Sequence, residues 1–591
     1  MSRPVFQSRT LNPSVLDQAE KMGLDPLLAK IIAGRIQGNT FNLDGIVKPA
    51  LKHLPPPTLL KDCEKAAARI AHAVISGERI GVLTDYDVDG ITSHVVLYRA
   101  LTELFGISPD KIHSLIGHRI NDGYGVSAGL ISRILEQDVL PDVIITADCG
   151  SSDEARLNLL KQAGIDVIVT DHHALPEEGA PVSAYAVVNP TQHDCAYPDA
   201  TIAGCMVSWL VMAQVRDQLI KQGRIREETP KLGFLLGYVA LGTVADCVSL
   251  GESAVNRAVV QTGLDLINRF DLPCWRAIRK LLRKDSESFD AGTLGFQLGP
   301  RINARGRLDD PYAALHYMLS LTDQQAEYYL SILDQDNEDR KAIEQEMTQD
   351  AYRMIEHQLA QNYQGLSVFL ENGHAGVQGI VASRITQKTG KPSIVMCPAL
   401  NPDHLSGSAR SVDGIHIRDI LQQVHDWDKE LLVKFGGHRG AAGLTLDKSK
   451  YKEFAEAFNS AVKLALNNQV LQPVVKIDSV LQIEAITEKT WSALQQLQPF
   501  GREFEAPCFS SIFLVEQLRV VGADQSHLQL LLSDPAKKTS VKGIWFKALA
   551  GGQVVDFKEG DQVDVAYQLD INEFRGKRNI QLLVEYALRK V

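Results

Sequence analysis

The sequence has no C-x-x-C pair among its eight cysteines, Cys63, Cys149, Cys195, Cys205, Cys247, Cys274, Cys397 and Cys508. Scattered in this way they outline neither a disulfide framework nor a zinc ribbon, and reduced, buried thiols are expected. A long apolar run is missing as well. The most hydrophobic stretch, Ile202 to Val215, is too short and too interrupted to span a bilayer, and the N-terminal MSRPVFQSRTLNPSV has no apolar signal core. A soluble cytoplasmic chain without membrane contact is expected. No internal repeat or low-complexity tract stands out. Positive charge is in deficit: 61 Lys and Arg against 72 Asp and Glu leave −11, which speaks against a general nucleic-acid coat protein. The distribution qualifies that exclusion. Residues 273–308 carry eight Lys/Arg against three acids, whereas 323–356 carry ten acids against three bases. Indiscriminate coating of nucleic acid is excluded, while capture by a local basic cleft is not, and the acidic stretch reads as a solvated helix face.

What is present is ordinary globular composition, 45% apolar and 23% charged over 591 residues, enough for about four domains at roughly 150 residues each. The first seventy-odd residues read as a polar helical extension, 1–75. From Arg79, short β-branched runs (Ile80–Thr84, Val143–Thr146, Val167–Thr170) alternate with helical segments, the pattern of a doubly wound α/β unit, 76–320. Apolar residues Ile343, Met347, Ala351, Met354, Ile355 and Leu359 step mostly by three and four and predict a long connecting helix, 321–362. A second α/β unit follows, 363–468. Several short strands after Pro473, beginning with Val474–Asp478, predict a small barrel of oligonucleotide-binding (OB) type, 469–591.

The densest chemistry is Asp85-Tyr86-Asp87-Val88-Asp89-Gly90, three carboxylates at alternate positions directly after an apolar strand. Such crowding raises each acid's pKa and calls for a cation, although an exposed Asp-rich turn is the bland alternative. An EF-hand is disfavoured because the twelfth position from Asp85 is Val96, not Glu. Asp148-Cys149-Gly150 ends a second strand and Asp171-His172-His173 a third, so three strands aim acids at one sheet edge, where open α/β sheets bind ligands. Asp246 closes the apolar run Leu241–Ala245, a costly position unless it is paired or bound to metal. The mixture of oxygen and imidazole donors suits Mn²⁺ or Mg²⁺ and suffices for two divalent ions.

In order and spacing, these four segments and the glycine-rich Gly436-Gly437-His438-Arg439-Gly440-Ala441-Ala442-Gly443 resemble the motifs of the DHH phosphoesterase superfamily, in particular its single-strand-specific bacterial exonucleases. The resemblance implies a two-metal phosphodiesterase site in which Asp85 and Asp87 hold one ion, Asp89, His172 and Asp246 the other, and Asp148 bridges. Two such ions stabilise both the attacking and the leaving oxygen of an in-line displacement. It further implies that His173 contacts the phosphate or leaving group and that Asp171 orients the histidines from outside the ligand shell.

Arg119, Arg301, Asn303, Ser408, Arg410, Gly436, Gly437 and His438 are implied DNA or phosphate contacts, with Arg305 and Arg307 beside them. In the barrel, Trp545, Phe546, Phe574, Arg575, Lys577 and Arg578 are as well suited to core as to strand contact. The turn Pro499–Pro507 departs from the family text, with Glu503 and Phe504 where Gly and Asn are expected. The implied activity is 5′-to-3′ exonuclease action on single-stranded DNA with a 5′ end, releasing 5′-mononucleotides in recombination and repair. The implied actor is a monomer with helicase and single-strand-binding-protein partners. A small-substrate oligonucleotide or cyclic-dinucleotide phosphodiesterase, or a non-catalytic replication scaffold, are the alternatives. Such phosphodiesterases typically lack the barrel and the N-terminal extension, and the intact ligand set disfavours a scaffold.

Overall fold

The computed structural model describes residues 3–38, 42–118, 122–123, 125–284, 287–308, 311–467, 472–536, 539–549, 554–574 and 577–590. The N-terminal segment differs from the polar helical extension expected of it. It opens with strand β1 (Val5–Ser8), and its helix Pro26–Arg35 buries seven of ten residues. Asp25 caps that helix on the Leu27 amide, with Pro26 preset at its first position.

The first α/β unit holds β2 (Ile80–Thr84), β3 (Ile112–Ile116), β4 (Val143–Ala147), β5 (Asp166–Thr170) and β6 (Ala186–Val188), all parallel, in the order β3-β2-β4-β5-β6. β2 and β4 are buried along their whole length, which is why they read as unbroken apolar runs. The chain leaves β2 in one direction and returns to β4 on the other side, so the switch point where α/β sheets bind ligands falls between Asp85 and Asp148.

Helix Asp323–Ala360, 38 residues long, joins the two units. Ala326, Leu330 and Leu333 enter the first core, while Met347, Ala351 and Ile355 pack with the second unit. Its acids are not merely a solvated face. Asp323 pairs with Arg276 at 2.7 Å, Glu327 with Lys280 at 2.8 Å, Asp334 with Arg301 at 2.8 Å and Asp336 with Arg305 at 3.4 Å. The basic stretch and the acidic helix thus compensate one another.

The second unit is a mixed sheet, β7 (Leu366–Phe369), β8 (Ser393–Pro398), β9 (His404–Arg410), β10 (Lys434–Gly437) and β11 (Ala441–Asp447), ordered β10-β11-β9-β8-β7. β12 (Val474–Ile477), read in the sequence as a barrel strand, instead pairs in parallel with β1. The barrel proper closes through β14 (Phe509–Val521), β15 (His527–Ser533), β16 (Ser540–Trp545), β18 (Lys577–Arg589) and β17 (Gln562–Phe574), with β17 returning to β14; the short β13 (Ser479–Val480) flanks β14.

Two arginines fasten the barrel to the rest. Arg35 grips buried Asp478 with two bonds of 2.9 Å. Arg257, fully buried, donates to the carbonyls of Ile46, Leu250, Leu497, Gln498 and Pro499 and lies 4.2 Å from the centre of the Phe504 ring. Phe504, 1% exposed, is thereby accommodated as a stacking surface for Arg257 and Arg35. Glu503 adopts φ 64, the left-handed conformation that explains a glycine preference at this position.

Candidate metal centre

Asp85 follows β2 directly and is 3% exposed. Asp87 is the N-cap of helix Val88–Arg99, accepting from the Gly90 amide at 3.1 Å, and Asp89 lies in that helix's first turn. Gly90 is required here: a Cβ would fall 2.3 Å from the Asp85 carbonyl oxygen. The Asp89 carboxylate accepts from the amides of Gly204 (2.7 Å) and Cys205 (3.0 Å), at the start of helix Gly204–Lys221, an environment that favours negative charge. Asp148 follows β4 at φ 60 and is 2% exposed. Asp246 caps the C-terminus of the buried helix Leu236–Ala245, whose dipole disfavours an anion.

His172 Nε2 lies 3.2 Å from Asp148 Oδ1, 3.6 Å from Asp246 Oδ2 and 3.7 Å from Asp89 Oδ2. Asp171, fully buried, accepts from the amides of Ser151, His172 and His173 and from His173 Nδ1 at 2.8 Å. It therefore holds the His173 ring directly but fixes His172 through the backbone, so the expected orientation of both rings is divided into two kinds of contact.

The electrostatics follow from burial and crowding. Burial, then the neighbouring acids, pushes the Asp148 carboxyl far up; burial raises Asp89 despite the opposing charge of His172. Asp246 is pushed up to about 8 by burial, then by Asp89 and Asp87. Burial disfavours charge on His172 and lowers it. Burial works the same way on His173, but the bond and charge of Asp171 win and raise it to about 9. Burial alone would raise Asp171, yet the two histidines and the Ser151 bond bring it down.

Three groups, Asp85–Asp87–Asp148, Asp89–His172–Asp246 and Asp148–His172–His173, each bring their ligand atoms within 4.8 Å of one another. Buried carboxylates crowded against one another and interleaved with imidazole form a donor set suited to divalent ions of the Mn²⁺ or Mg²⁺ kind.

The remaining residues named in the sequence lie along one wall and across from it. Helix Gly299–Leu308 runs beside the metal loop: Asn303 Oδ1 accepts from the Val88 amide at 3.1 Å, a Cβ at Gly306 would fall 2.8 Å from the Tyr86 carbonyl oxygen, and Arg307 donates to Gly376 O at 2.8 Å. Asn303 thus braces the loop, and Arg301 is held by Asp334 and Gln297 O. In the second unit, Arg410 donates to Ser408 Oγ at 3.0 Å, and a Cβ at Gly379, in the first turn of helix Gln378–Thr389, would crowd both side chains at 2.8–2.9 Å. Gly436, Gly437 and His438 form the exposed start of the β10–β11 hairpin, His438 donating to Ala441 O at 2.8 Å. Arg119 and Arg575 lie outside the described residues, as do the side chains of Phe574 and Lys577. Trp545 is barrel core against Tyr586, whereas Phe546 is 58% exposed, and Arg578 reaches Glu488 at 3.5 Å. Arg502, within the turn Pro499–Pro507, donates to Cys247 O at 3.1 Å beside Asp246; the turn is legible in the sequence, but this contact across some 255 residues is not.

A parallel sheet with acids at its switch point and a DHH turn defines a DHH-type phosphoesterase. The family profiles agree: "DHH family, N-terminal domain" matches residues 79–243, "DHHA1 domain" 362–464 and "RecJ OB domain" 477–586. The single-stranded-DNA-specific exonuclease RecJ of Escherichia coli is 35% identical over 573 residues, 95% of this chain and 96% of that protein. That of Haemophilus influenzae is 33% identical over 566 residues, 95% and 96% of the two chains. The chain belongs to the RecJ family. The crystal structure of RecJ from Thermus thermophilus in complex with Mn²⁺ has the same fold, with a TM-score of 0.79 and 24% identity over 100% of this chain and 80% of that one. A structure of exonuclease RecJ bound to manganese matches at 28% identity and TM-score 0.57, over 70% of this chain and 98% of that one. The chain is a metal-dependent nuclease of this family, and Mn²⁺ or Mg²⁺ is its cofactor class.

Proposed function

We propose that the protein is a single-stranded-DNA-specific exonuclease that works from the 5′ end and releases 5′-mononucleotides. The observation that carries this reading is that helix Gly299–Leu308 touches both the metal loop, at Val88, and the second α/β unit, at Gly376, close in sequence to Gly379, against which Ser408 and Arg410 pack. Asp85, Asp87 and Asp148 would hold one ion and Asp89, His172 and Asp246 the second, with Asp148 shared. When bound, two such ions polarise the phosphate and favour attack by water at neutral pH. The chain's own groups do the rest. His173, its Nδ1 occupied by Asp171, keeps a proton at Nε2 for a phosphate or leaving oxygen. Ser408, Arg410 and the start of helix Gln378–Thr389 receive a terminal 5′-phosphate, as helix N-termini receive anions. The amides of Gly436 and Gly437, with His438, face the phosphodiester chain. Arg119 and Arg301 are further phosphate contacts and Asn303 a brace of the metal loop.

Strand selectivity without base reading would follow from binding between the two α/β units in a space too narrow for a duplex. The domain bounds 75/76, 320/321, 362/363 and 468/469, cytoplasmic action as a monomer, and helicase and single-strand-binding-protein partners are parts of the same proposal. Among the described residues no helix is long and apolar enough to cross a membrane.

The test is digestion of 5′-labelled and 3′-labelled oligonucleotides, single-stranded and duplex, with Mn²⁺. Immediate release of labelled mononucleotide from the 5′-labelled single strand alone is expected. Early release from the 3′ end, or equal attack on duplex, would overturn the reading.

A further inference from the structure

Helix Gly299–Leu308 has two ends that meet different parts of the molecule. Its C-terminal end reaches the second α/β unit, through Arg307 to Gly376 O. Its N-terminal end lies at the close of helix Leu236–Ala245, where a Cβ on Gly299 would stand 3.8 Å from Ala245 Cβ and one on Gly295 3.2 Å from Val244 Cγ1. Asp246 is the next residue. The helix therefore has one pole at the second α/β unit, which carries Ser408 and Arg410, and a second pole beside Asp246.

Two unassigned side chains stand at this second pole. Phe296 belongs to a single π-helical turn, Leu294–Leu298, of the kind that recurs at functional sites. Leu294 and Leu298 are buried, while the Phe296 ring between them is 86% exposed, the extreme among the phenylalanines described as exposed. Arg502 arrives from the barrel side. Its turn is fixed on residues 247–251: Leu250 N donates to Arg502 O at 3.0 Å, Gly251 leaves room for Glu503 O, which a Cβ would approach to 2.7 Å, and Arg257 gathers the carbonyls of Leu497, Gln498 and Pro499. The Arg502 side chain is nonetheless 61% exposed, tethered by Nη1 to Cys247 O, and its charge is felt at Asp246. An exposed guanidinium on a rigid mount and an exposed aromatic ring flank the same helix end, a phosphate donor beside a base-stacking surface.

We propose that Arg502 and Phe296 form a subsite for the strand on the barrel side of the scissile phosphate, Arg502 bonding a backbone phosphate and Phe296 stacking on a base. The inference rests on the exonuclease reading above and assigns it a second strand contact, at the end opposite the 5′-phosphate pocket. The strand then runs from Ser408 and Arg410, past the metal centre, to Phe296 and Arg502 and on to the barrel. Phosphate contact is independent of sequence and stacking nearly so, as an exonuclease that does not read bases requires.

The experiment compares wild type, Arg502→Gln, Phe296→Ala and Phe296→Trp on a 5′-phosphorylated dinucleotide and on a long single strand, with Mn²⁺, at several salt concentrations. Arg502→Gln and Phe296→Ala are expected to lose about tenfold in kcat/KM on the long strand and markedly less on the dinucleotide. Arg502→Gln should also lower the salt slope by about 1, and Phe296→Trp should retain most of the wild-type rate on the long strand. Wild-type rates for both variants on the long strand would overturn the subsite. So would equal losses on both substrates, the mark of a residue acting only through Asp246. If the wild-type protein cleaves neither substrate, the functional reading falls. Anisotropy of a labelled strand with the same variants then decides the subsite: weaker binding supports it and unchanged binding sinks it.

Discussion

Asp171 Oδ1 accepts a 2.8 Å hydrogen bond from the ring of His173, and the same carboxylate takes the amide of His172 at 2.7 Å. One buried acid thus sets the protonation of one histidine and the position of the other without belonging to any of the three ligand groups. Replacing Asp171 by Asn keeps an acceptor for the amides but removes the charge that sustains the imidazolium. Activity or Mn²⁺ affinity is expected to fall about 10- to 100-fold, as for other groups that orient metal ligands. Steady-state kinetics and calorimetric metal titration, with circular dichroism to show an intact fold, make the check.

The crowded carboxylates predict a particular pH dependence of the metal-free protein. Asp246 titrates near 8 in the folded state, raised by burial and then by Asp89 and Asp87, against a value near 4 in the unfolded chain; Asp148 and Asp89 are raised as well. Between these values the folded state binds more protons, so the contribution of Asp246 is complete below about pH 4 and is lost as pH rises through about 8, and Asp148 and Asp89 act in the same direction. Melting curves across this window should show metal-free protein losing stability toward alkaline pH, Asp246→Asn flattening the slope, and Mn²⁺ giving its largest gain at the alkaline end. A gain from Mn²⁺ that shrinks toward alkaline pH would contradict the assignment.

Gly90 permits the metal loop to close on itself, since a Cβ there would overlap the Asp85 carbonyl oxygen at 2.3 Å. Gly90→Ala must move the backbone of one ligand residue or another. Loss of most activity is expected, and melting should fall as well, because Val88 and Ile91 on either side of Gly90 are buried in the core. Kinetics and a melting curve on the same preparation separate the two effects.

Arg257 is a buried cation whose hydrogen-bond partners are carbonyl oxygens from the N-terminal segment, the catalytic unit and the turn leading to the barrel. Burial lowers its guanidinium to about 9, a cost that the five carbonyls and the Phe504 ring offset. Arg257→Ala strands these carbonyls and opens a cavity, for an expected loss of about 3 kcal/mol or more in chemical denaturation. Because the same turn carries Arg502, activity on long strands should fall further than activity on a dinucleotide.

The chemistry was legible in the sequence where it was local. Asp85, Asp148 and Asp171 each follow a continuous apolar strand, and the structure puts all three at one sheet edge. Helix Asp323–Ala360 could be read from its apolar spacing, but not its pairing with Arg276, Lys280, Arg301 and Arg305, because opposite charges far apart in sequence carry no mark of their contact. Val474–Ile477 has the texture of a barrel strand and pairs instead with Val5–Ser8, a partner more than 460 residues away that no local pattern could name. Phe504 and Glu503 looked like departures from a turn. One is the stacking surface of two buried arginines and the other occupies a left-handed position, both consequences of tertiary context. Phe296 has no motif and Arg502 only that of its turn, and their exposure beside Asp246 is what marks them.

The acid–imidazole centre is expected to hold two divalent ions with Asp148 between them, and hydrolysis to depend on this arrangement. The most direct measurement is Mn²⁺ stoichiometry by calorimetry, paired with mononucleotide release from a 5′-labelled single strand, for wild type and Asp148→Ala. Two ions and rapid release for wild type, against weakened or single-ion binding and no release for Asp148→Ala, are predicted. Retained release by Asp148→Ala, or a wild type that binds the strand and two ions without cleaving it, would contradict the account.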